Sequence, residues 1–404
     1  MSDSIPNLPM ADEAYWQDPY IHFSELRKGH RVSRNDLGYV VPLHWSDASW
    51  ALKGTDFIAE GVEVLERRGF RPGDPMHTWR KNALGVMEGD DHRRVRSLAT
   101  GALSKRKMEG LRPLIRRHAH ALLDELGDAT EMEARNAYAM PLPRLVMMDF
   151  LGIDADELEG SHRPMSGVNI ADCFGPKVTP ELRGAANEAI QKSMDHTAML
   201  YEKRRAEPRD DLLTHLVQAK DEQGELSHGE MITLFSTIFG SGASTAHIIT
   251  SGLLELARHP EHAALFRSDP ERWKRGASEE TLRYRPSINA VGQKASRDLE
   301  AFGIAFEKDE PISVVLGAAN RDPKRWEDPE RFDIRRDPNT MSLSFGIGAH
   351  FCLGHAMARA TVEEALAVFV ERCDELELRN EPRWIPFVAE NKLDGLTLGF
   401  RGLR

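Results

Sequence analysis

Apolar residues recur every three to four positions over most of the chain, and this is the spacing of amphipathic helices. The most apolar of the predicted helices starts at a capping box, residues 227–230, and runs through Leu256. Its apolar residues lie on nearly all sides, which is typical of a buried helix. Proline and glycine interrupt the pattern between residues 113 and 225, so several helices with short connections are expected there. The interruptions fall at Pro141, Pro143, Gly152, Gly175, Pro176 and Pro208.

Short apolar runs bounded by turn residues predict a few strands. The pattern predicts two strands around a turn in residues 31–41, a strand and loop in residues 311–320, and a last hairpin in residues 384–400. The predicted fold class is therefore mainly α with small β-sheets.

The composition is that of one large globular unit. The chain has 404 residues, 41% of them hydrophobic, and no linker, low-complexity tract or repeat divides it. We therefore expect a single domain over residues 1–404 that can enclose a sizeable ligand. The net charge of -11 argues against a nucleic-acid-binding protein.

The sequence predicts a cytoplasmic protein without a membrane span. The first six residues lack a basic region followed by an apolar core, and no apolar run approaches the length of a spanning helix. The three cysteines, Cys173, Cys352 and Cys373, are too few and too scattered for a disulfide framework. This usage fits a reducing compartment.

A glycine-rich stretch, residues 345–359, has Cys352 at its centre. It reads Phe-Gly-Ile-Gly-Ala-His-Phe-Cys-Leu-Gly-His-Ala-Met-Ala-Arg. Gly346, Gly348 and Gly354 give the backbone the positive-φ and close-approach freedom that a tight loop needs, and a helical pattern follows over residues 356–368. Cys352 is thus predicted just ahead of a helix N-terminus, where the helix dipole favours the thiolate, the form that binds metal.

Four interpretations of this stretch compete. A lone cysteine is most often a buried structural thiol. A zinc site needs about four ligands, and only His350 and His355 lie nearby. A dinucleotide-binding loop is disfavoured because Phe351 takes the place of its third glycine, and the signature of a papain-like nucleophile is absent. The remaining interpretation is one thiolate offered to a metal that a macrocycle already holds, and haem iron is that metal.

The motif Phe-Gly-x-Gly-x-His-x-Cys-x-Gly at residues 345–354 resembles the haem-binding loop of the cytochrome P450 family, the haem-thiolate monooxygenases. Further motifs in the expected order extend the resemblance over most of the chain. The resemblance implies the cytochrome P450 fold of the soluble bacterial type, haem b (iron protoporphyrin IX) as cofactor, and Cys352 as the ligand of the iron. It also assigns Phe345, His350 and Gly354 to the haem contacts.

His92 and Arg96 lie four residues apart on a predicted helix, so both can donate to one anionic group. Spacing alone equally favours a solvated basic face. The resemblance assigns the pair to a haem propionate. A basic segment flanks the pair and suits an acidic partner such as a ferredoxin. Its members are Arg93, Arg94, Lys105, Arg106, Lys107, Arg112, Arg116 and Arg117.

The buried helix contains two glycines in the stretch Gly-Ser-Gly-Ala-Ser-Thr at residues 240–245, and each costs about 1 kcal/mol relative to alanine. A flat ligand, a kink aided by a bond from the Thr245 hydroxyl to the Ser241 carbonyl, or a helix packing notch would each explain this cost. The resemblance makes the stretch an oxygen-binding groove with Gly242 at the haem and Thr245 as catalytic threonine. Ser244 stands where the family usually has an acid, so we expect Ser244 and water to take part in proton delivery.

Two later motifs carry the remaining haem-side residues. Glu280 and Arg283 match the family's Glu-x-x-Arg element, and Arg331 is expected to complete a buried structural network with them. Gln293, followed by Lys294, stands where the family commonly has an arginine that binds a propionate, and Gln293 is assigned to the cofactor.

The resemblance places substrate contacts at mostly apolar positions, which indicates a lipophilic substrate. Residues 160–180 correspond to the family's substrate-access lid. The candidate contacts are Val86, Ile238, Ser241, Ile288, Ala290 and Phe387.

The sequence therefore predicts a monooxygenase that inserts one oxygen atom of O₂ into a lipophilic small molecule. Electrons are expected from NAD(P)H through a separate ferredoxin reductase and ferredoxin, because no flavin or nicotinamide domain is recognised in the chain. Two alternatives are a peroxide-driven peroxygenase of the same fold and a non-enzymatic haem-based sensor.

Overall fold

The computed structural model describes residues 5–10, 12–103, 105–158, 170–175, 178–218, 220–221, 224–385 and 390–403. Helices dominate, and the strands are short, so the predicted fold class, mainly α with small β-sheets, is confirmed. Within these residues the helices are α1 Pro19–Leu26, α2 Trp45–Lys53, α3 Glu63–Glu66, α4 Pro75–Lys81, α5 Gly89–Ala102, α6 Lys105–Gly110, α7 Arg112–Asp124, α8 Pro141–Leu151, α9 Ala155–Leu158, α10 Pro180–Ala206, α11 Leu212–Val217, α12 His228–Gly240, α13 Gly242–Arg258, α14 Pro260–Ser268, α15 Pro270–Tyr284, α16 Leu316–Ala319 and α17 His355–Arg372.

The described strands form one larger sheet and three small ones. The larger sheet has the order β1-β2-β3-β11-β8-β4, and β12, β13 and β5 form a three-stranded sheet in that order. The pairs β9-β10 and β6-β7 are antiparallel. The strands are β1 Asn7–Leu8, β2 Val32–Asn35, β3 Val40–Pro42, β4 Phe57–Ala59, β5 Glu131–Glu133, β6 Lys220–Asp221, β7 Gly224–Glu225, β8 Ala290–Ala295, β9 Leu299–Ala301, β10 Ile304–Phe306, β11 Pro311–Val315, β12 Cys373–Leu378 and β13 Thr397–Leu403.

The predicted hairpin of residues 31–41 is confirmed as β2 and β3. These strands pair antiparallel, and the turn between them is made by Asn35 and Gly38. The Asn35 side-chain oxygen accepts bonds from the Leu37 and Tyr39 amides, both at 3.0 Å, and Gly38 adopts φ +82°. Only glycine takes that conformation without strain, so the sequence determines the turn locally.

The described chain forms two compact units. The first unit consists of the described parts of residues 1–58, 111–143 and 243–404. Two apolar clusters form its core, one centred on Phe57, Phe302 and Phe306 and the other on Tyr15, Trp16 and Phe23. The first unit contains the cysteine loop, α13, α15 and α17.

The second unit consists of the described parts of residues 59–110 and 144–242. Its described core packs Leu65, Phe70 and Met76 against Ala186 and Ile190 of α10. The second unit contains α5 and α12. The expectation of one domain over residues 1–404 stays a prediction.

One described segment, residues 228–258, is apolar enough to cross a membrane by length and composition alone. The expectation that no apolar run approaches this length is therefore wrong. Buried core helices of soluble proteins meet the same criterion, so the finding is weak evidence for a membrane span. The segment consists of two helices, α12 and α13, that are interrupted at Ser241.

Candidate functional site

The cysteine loop, residues 345–354, lies directly before α17. The Cys352 amide donates to the Phe345 carbonyl at 2.8 Å, and the His355 amide donates to the Cys352 carbonyl at 3.4 Å. Gly354 caps α17, and Cys352 is half-buried two residues ahead of that cap. The predicted position of the thiol, at the N-terminus of a helix, is confirmed.

Two of the three loop glycines are required by the backbone. Gly346 and Gly348 adopt φ +68° and +80°, where other residues are strained. A Cβ on Gly348 would also lie 2.9 Å from the Leu52 carbonyl oxygen at the end of α2. Gly354 differs from the expectation, because its φ is -85° and a Cβ there would meet no protein atom within 4 Å. Neither backbone strain nor protein packing therefore explains this glycine.

Replacing Gly348 with alanine is expected to lower the free energy of unfolding by about 2 to 4 kcal/mol, because left-handed strain adds to a clash with main-chain atoms. Urea denaturation of the two proteins measures the change. Gly354→Ala is the matched control, and its free energy of unfolding without haem should stay close to that of the parent. Equal losses in both variants would contradict this account of Gly348.

The other two cysteines are chemically different from Cys352. None of the three, all of which are described, takes part in a disulfide. Burial raises the pKa of the Cys173 thiol to about 11 and that of the Cys373 thiol to about 12. Both therefore remain neutral thiols at neutral pH, which leaves Cys352 as the candidate thiolate. Among the described residues, no three His, Cys, Asp or Glu side chains come together as metal ligands.

Arg359 of α17 contacts the cysteine loop and also pairs with α15. Arg359 lies over the Phe345 ring, 4.5 Å from its centroid, and donates to His355 Nδ1 at 2.9 Å. It also forms an ion pair with Glu279 of α15. Neither Arg359 nor Glu279 was predicted as a site residue. The spacing of four between His355 and Arg359 was the signal available for their contact.

The predicted buried network is present, with one correction. Glu280 and Arg283 form a bidentate pair at 2.7 and 2.8 Å, and both side chains are buried. The second arginine on Glu280 is Arg336, at 3.3 Å, whereas Arg331 contributes its main-chain carbonyl to Arg283. The assignment of the Arg331 side chain to this network is therefore wrong. The Arg331 side chain is 58% exposed and pairs with Asp333 at 2.8 Å, whereas the neighbouring Phe332 is buried.

This network reaches the cysteine loop through Asn320 and Ser344. Arg283 donates to the Asn320 carbonyl at 3.1 Å. The Asn320 side chain accepts from the Leu343 amide at 2.7 Å and donates to the Ser344 hydroxyl at 2.8 Å. Ser344 in turn donates to the Leu282 carbonyl at 2.6 Å. The residues directly before the loop are thus tied to α15.

Strand β8 contains the Gln293 and Lys294 pair. Lys294 is bonded to Asp309 at 2.9 Å, which lowers the pKa of that carboxyl group. Gln293 is buried, and its side-chain Oε1 has no hydrogen-bond partner. A buried polar atom without a hydrogen-bond partner is costly, so the Gln293 Oε1 requires an explanation.

Helix α13 begins at Gly242 and contains both candidate catalytic residues. Thr245 is buried and Ser244 is half-buried. The expectation of one helix through residue 256 differs from the structure, because α12 ends at Gly240 and α13 follows. The Ser241 hydroxyl donates to the Ile238 carbonyl at 2.6 Å, so a local side-chain bond accompanies the interruption. This bond lies one turn before the expected bond from the Thr245 hydroxyl to the Ser241 carbonyl.

The second unit contains the remaining haem and substrate candidates that are described. His92 and Arg96 lie four residues apart on α5, with His92 buried and Arg96 half-buried. Val86 lies in a single 3₁₀ turn, and Ile238 is buried in α12.

The remaining substrate candidates fall in the first unit or outside the described residues. Ile288 packs against one core cluster and Ala290 is a member of the other, beside Val315 and Ala318. Phe387 lies outside the described residues, as do residues 160–169 and 176–177 of the predicted lid.

Arginines of the expected basic docking segment form ion pairs within the described residues. Arg112 pairs with Glu363 and Glu364 at 2.7 and 2.8 Å, and Arg116 pairs with Glu364 at 3.1 Å. In the second unit Arg94 pairs with Glu230. Arg94, Arg112 and Arg116 each pair with a carboxylate that is distant in sequence, and their role in binding a partner stays a prediction.

Residues 276–387 match the family model for cytochrome P450. Over 400 residues the chain is 32% identical to cytochrome P450 107B1 from Saccharopolyspora erythraea, and the match covers 94% of each chain. The chain belongs to the cytochrome P450 family. The 6-deoxyerythronolide B hydroxylase of the same organism is 34% identical over 319 residues, 78% of this chain and 76% of that protein. The protein is thus an enzyme of the monooxygenase class.

A solved cytochrome P450 confirms the predicted fold. P450BioI, in complex with hexadec-9Z-enoic acid ligated acyl carrier protein, superposes with a TM-score of 0.89 at 26% identity. The superposition covers 97% of this chain and 100% of that one. The haem-iron nature of the family agrees with a single thiolate donor in a glycine-rich loop.

Proposed function

We propose that this cytochrome P450 inserts one oxygen atom of O₂ into a lipophilic small molecule, with haem b bound through Cys352. The cysteine loop supports this proposal most strongly. It presents one thiol at a helix N-terminus, ahead of a glycine that no protein contact requires. Phe345, His350 and Gly354 would border the haem on this side.

The residues present fit a haem with its carboxylates. The Gln293 side-chain Oε1 is buried without a partner, and a rotation of the amide group exchanges the positions of its O and N atoms. With the amide turned over, Nε2 would donate to a propionate as a neutral substitute for the family's arginine. His92 and Arg96 are proposed as further donors to a propionate, and Gly242 as a haem neighbour.

A bound haem supplies the activation of O₂, which thiolate donation to the iron favours. Thr245 and Ser244 provide hydroxyl groups that can orient water and hand on protons. Ser244 does not ionise at neutral pH, so it cannot store a proton as the family's usual acid does. Glu280 and Arg283 hold the backbone ahead of the cysteine loop.

The substrate is proposed to be lipophilic, with fatty acyl compounds tested first. The candidate contacts Val86, Ile238, Ile288, Ala290 and Phe387 are apolar, and Ser241 adds a single hydroxyl. A structural relative was solved with a hexadecenoyl group on an acyl carrier protein. Spectral titration of the ferric protein with hexadecenoic acid, free and carrier-bound, tests this choice. A terpene or steroid that gives the larger spectral shift would contradict it.

Electrons are proposed to come from NAD(P)H through a ferredoxin reductase and a ferredoxin in the cytoplasm. The relative named as a hydroxylase favours a monooxygenase over the peroxygenase and sensor alternatives. Product formation with hydrogen peroxide alone, at the rate seen with NADH and redox proteins, would reverse that preference.

Replacing Cys352 with alanine is expected to abolish the red-shifted absorption band of the reduced carbon monoxide complex, because the thiolate donor is lost. The reduced spectrum under carbon monoxide measures the effect. Cys373→Ala, which removes a buried thiol of the same unit, is the control and should retain the band. A band that persists in Cys352→Ala would disprove the assignment of the ligand.

A further inference from the structure

Four polar residues lie along one face of α13, and we call them the polar stripe: Ser244, His247, Ser251 and Glu255. Their spacings of three, four and four residues stack them on one side of a helix with 3.6 residues per turn. His247 is only 6% exposed, and Ser251 and Glu255 are 2% exposed. Polar groups buried in a helix otherwise rich in Ile and Leu are costly, so the stripe requires an explanation.

His247 is the least satisfied member of the stripe. Its Nδ1 is buried and has no hydrogen-bond partner. Burial, and to a smaller extent the nearby charges of Arg135 and Lys392, lower its pKa to about 4, so the ring is neutral at neutral pH. A neutral imidazole has one donor and one acceptor nitrogen, and can therefore take up a proton on one side and release one on the other.

The outer end of the stripe leads towards solvent. The Glu255 carboxylate accepts from Arg285 at 3.0 Å. One turn further along the chain, His259 Nδ1 bonds to the Glu255 main-chain carbonyl at 2.8 Å and lies 3.7 Å from the Glu255 carboxylate. The His259 side chain is 29% exposed. At the inner end, Ser244 is half-buried beside Thr245.

We propose that the polar stripe is a proton route from His259 to Ser244, in which His247 acts through Ser244 as a relay and positioning residue. The proposal rests on the proposed monooxygenase function, and it supplies the proton source that the family's acid before the threonine usually provides. On a helix the Cβ atoms of residues three or four apart are about 5 to 6 Å from one another, and one bridging water can span such a gap between their polar groups.

The transfers balance along the route. Each hydroxyl, water or imidazole releases one proton to its inner neighbour and receives one from its outer neighbour, and the Glu255 carboxylate takes up one proton from the His259 side and then releases it inward. No group changes its net charge over a cycle, and solvent at His259 replaces the proton consumed beyond Ser244. The electrons come from NADH, as in the proposed function.

The first experiment measures the route itself in the full-length chain. NMR of protein labelled with ¹⁵N-histidine reports how fast the His247 ring proton exchanges with water. The control is His262, a buried histidine of α14 that lies off the stripe and is 6% exposed. We expect His247 to exchange faster than His262, and Ser251→Ala to slow only His247. Protection of His247 equal to that of His262, or no effect of Ser251→Ala, would overturn the route.

The second experiment measures the use of the route. His247→Phe fills the volume and His247→Gln keeps hydrogen bonds, but neither relays a proton through an imidazole. With NADH, a ferredoxin and its reductase, both variants should reduce dioxygen largely to hydrogen peroxide, and the yield of water should fall by about a hundredfold. His262→Gln should resemble the parent. Recovery in His247→Gln would indicate a structural role and overturn the proposal.

The two experiments separate failure of this inference from failure of the proposed function. A parent protein that consumes no dioxygen with any electron donor would disprove the proposed function, while ring-proton exchange would still decide the route. A parent that turns over normally, with His247 variants of parental water yield, would overturn the inference alone.

Discussion

Replacing Glu280 with alanine is expected to lower the free energy of unfolding by about 3 to 5 kcal/mol, because removing one member of a buried ion pair leaves its partner uncompensated. Glu280 is 3% exposed and accepts two bonds from Arg283, one from Arg336 and one from the Asp333 amide. Arg283 is 1% exposed, so water cannot replace the lost carboxylate without opening the core.

Urea denaturation of the parent and of Glu280→Ala measures this loss. Glu25→Gln is the matched control, since Glu25 pairs with Lys28 at 2.6 Å but both side chains are more than 60% exposed. An exposed pair of this kind contributes about 0 to 1 kcal/mol. A loss in Glu280→Ala as small as that of Glu25→Gln would show that the buried pair is dispensable for stability.

The same substitution should also reduce the haem content of the purified protein. Arg283 holds the Asn320 carbonyl, and Asn320 holds Leu343 and Ser344 directly before the cysteine loop. Loss of Glu280 therefore releases the segment that positions Phe345 and Cys352. Iron content per chain in Glu280→Ala, compared with Glu25→Gln, measures this second effect.

Local patterns predicted the parts of the site that local contacts build. The capping box at α12 is present, with the Ser227 amide 2.8 Å from Glu230 Oε2. The glycine-rich loop precedes a helix, and the turn of residues 35–38 joins two strands. Each of these depends on residues a few positions apart, so their chemistry is visible in the sequence.

Long-range pairing and side-chain direction were not predictable in the same way. Arg331 and Arg336 both follow Glu280 at plausible distances in sequence, and only the folded structure shows that Arg336 faces Glu280 while Arg331 pairs with Asp333. From the sequence alone, Arg112 is predicted to be a surface charge. In the structure α7 packs on α17, which brings Glu364, 252 residues away in sequence, to Arg112. A charge pattern on one helix contains no information about such a partner.

The interruption between α12 and α13 was also not predictable from the apolar pattern of the sequence. The apolar pattern continues through Ser241, and helix propensity changes little there apart from the glycines on either side. The Ser241 hydroxyl bonds to the Ile238 carbonyl at 2.6 Å, and such a side-chain bond competes with the helical hydrogen bonds without changing the apolar pattern.

Glu364 is the centre of the ion cluster that joins α7, α15 and α17. Its carboxylate lies 2.8 Å from both Arg112 and Lys274 and 3.1 Å from Arg116, and its side chain is 1% exposed. Burial disfavours the charged carboxylate, but bonds from Lys274, Arg112 and Arg116 outweigh it and lower the pKa of Glu364 below its ordinary 4.5. Each of these cations also pairs with a further carboxylate, so Glu364 is the anion that all three share.

Replacing Glu364 with glutamine is expected to lower the free energy of unfolding by about 3 kcal/mol at neutral pH, because three cations lose their shared anion. Since the folded pKa lies below the unfolded value, the carboxylate stabilises the fold above the unfolded pKa and loses this effect as pH falls through the folded pKa. The gap between parent and Glu364→Gln should therefore narrow in acid.

Urea denaturation of both proteins between neutral and acidic pH measures that gap. Burial raises the pKa of the neighbouring Glu363, so the effect of Glu363 on the pH dependence of stability has the opposite sign to that of Glu364. Glu363 is present in both proteins, so its direct contribution to stability largely cancels in their difference. Glu371→Gln is the matched control, since Glu371 is 28% exposed and pairs with Arg116 at 2.6 Å. A gap that stays constant as the pH falls would show that Glu364 stabilises the fold through packing, because a packing contribution does not depend on the charge of the carboxylate.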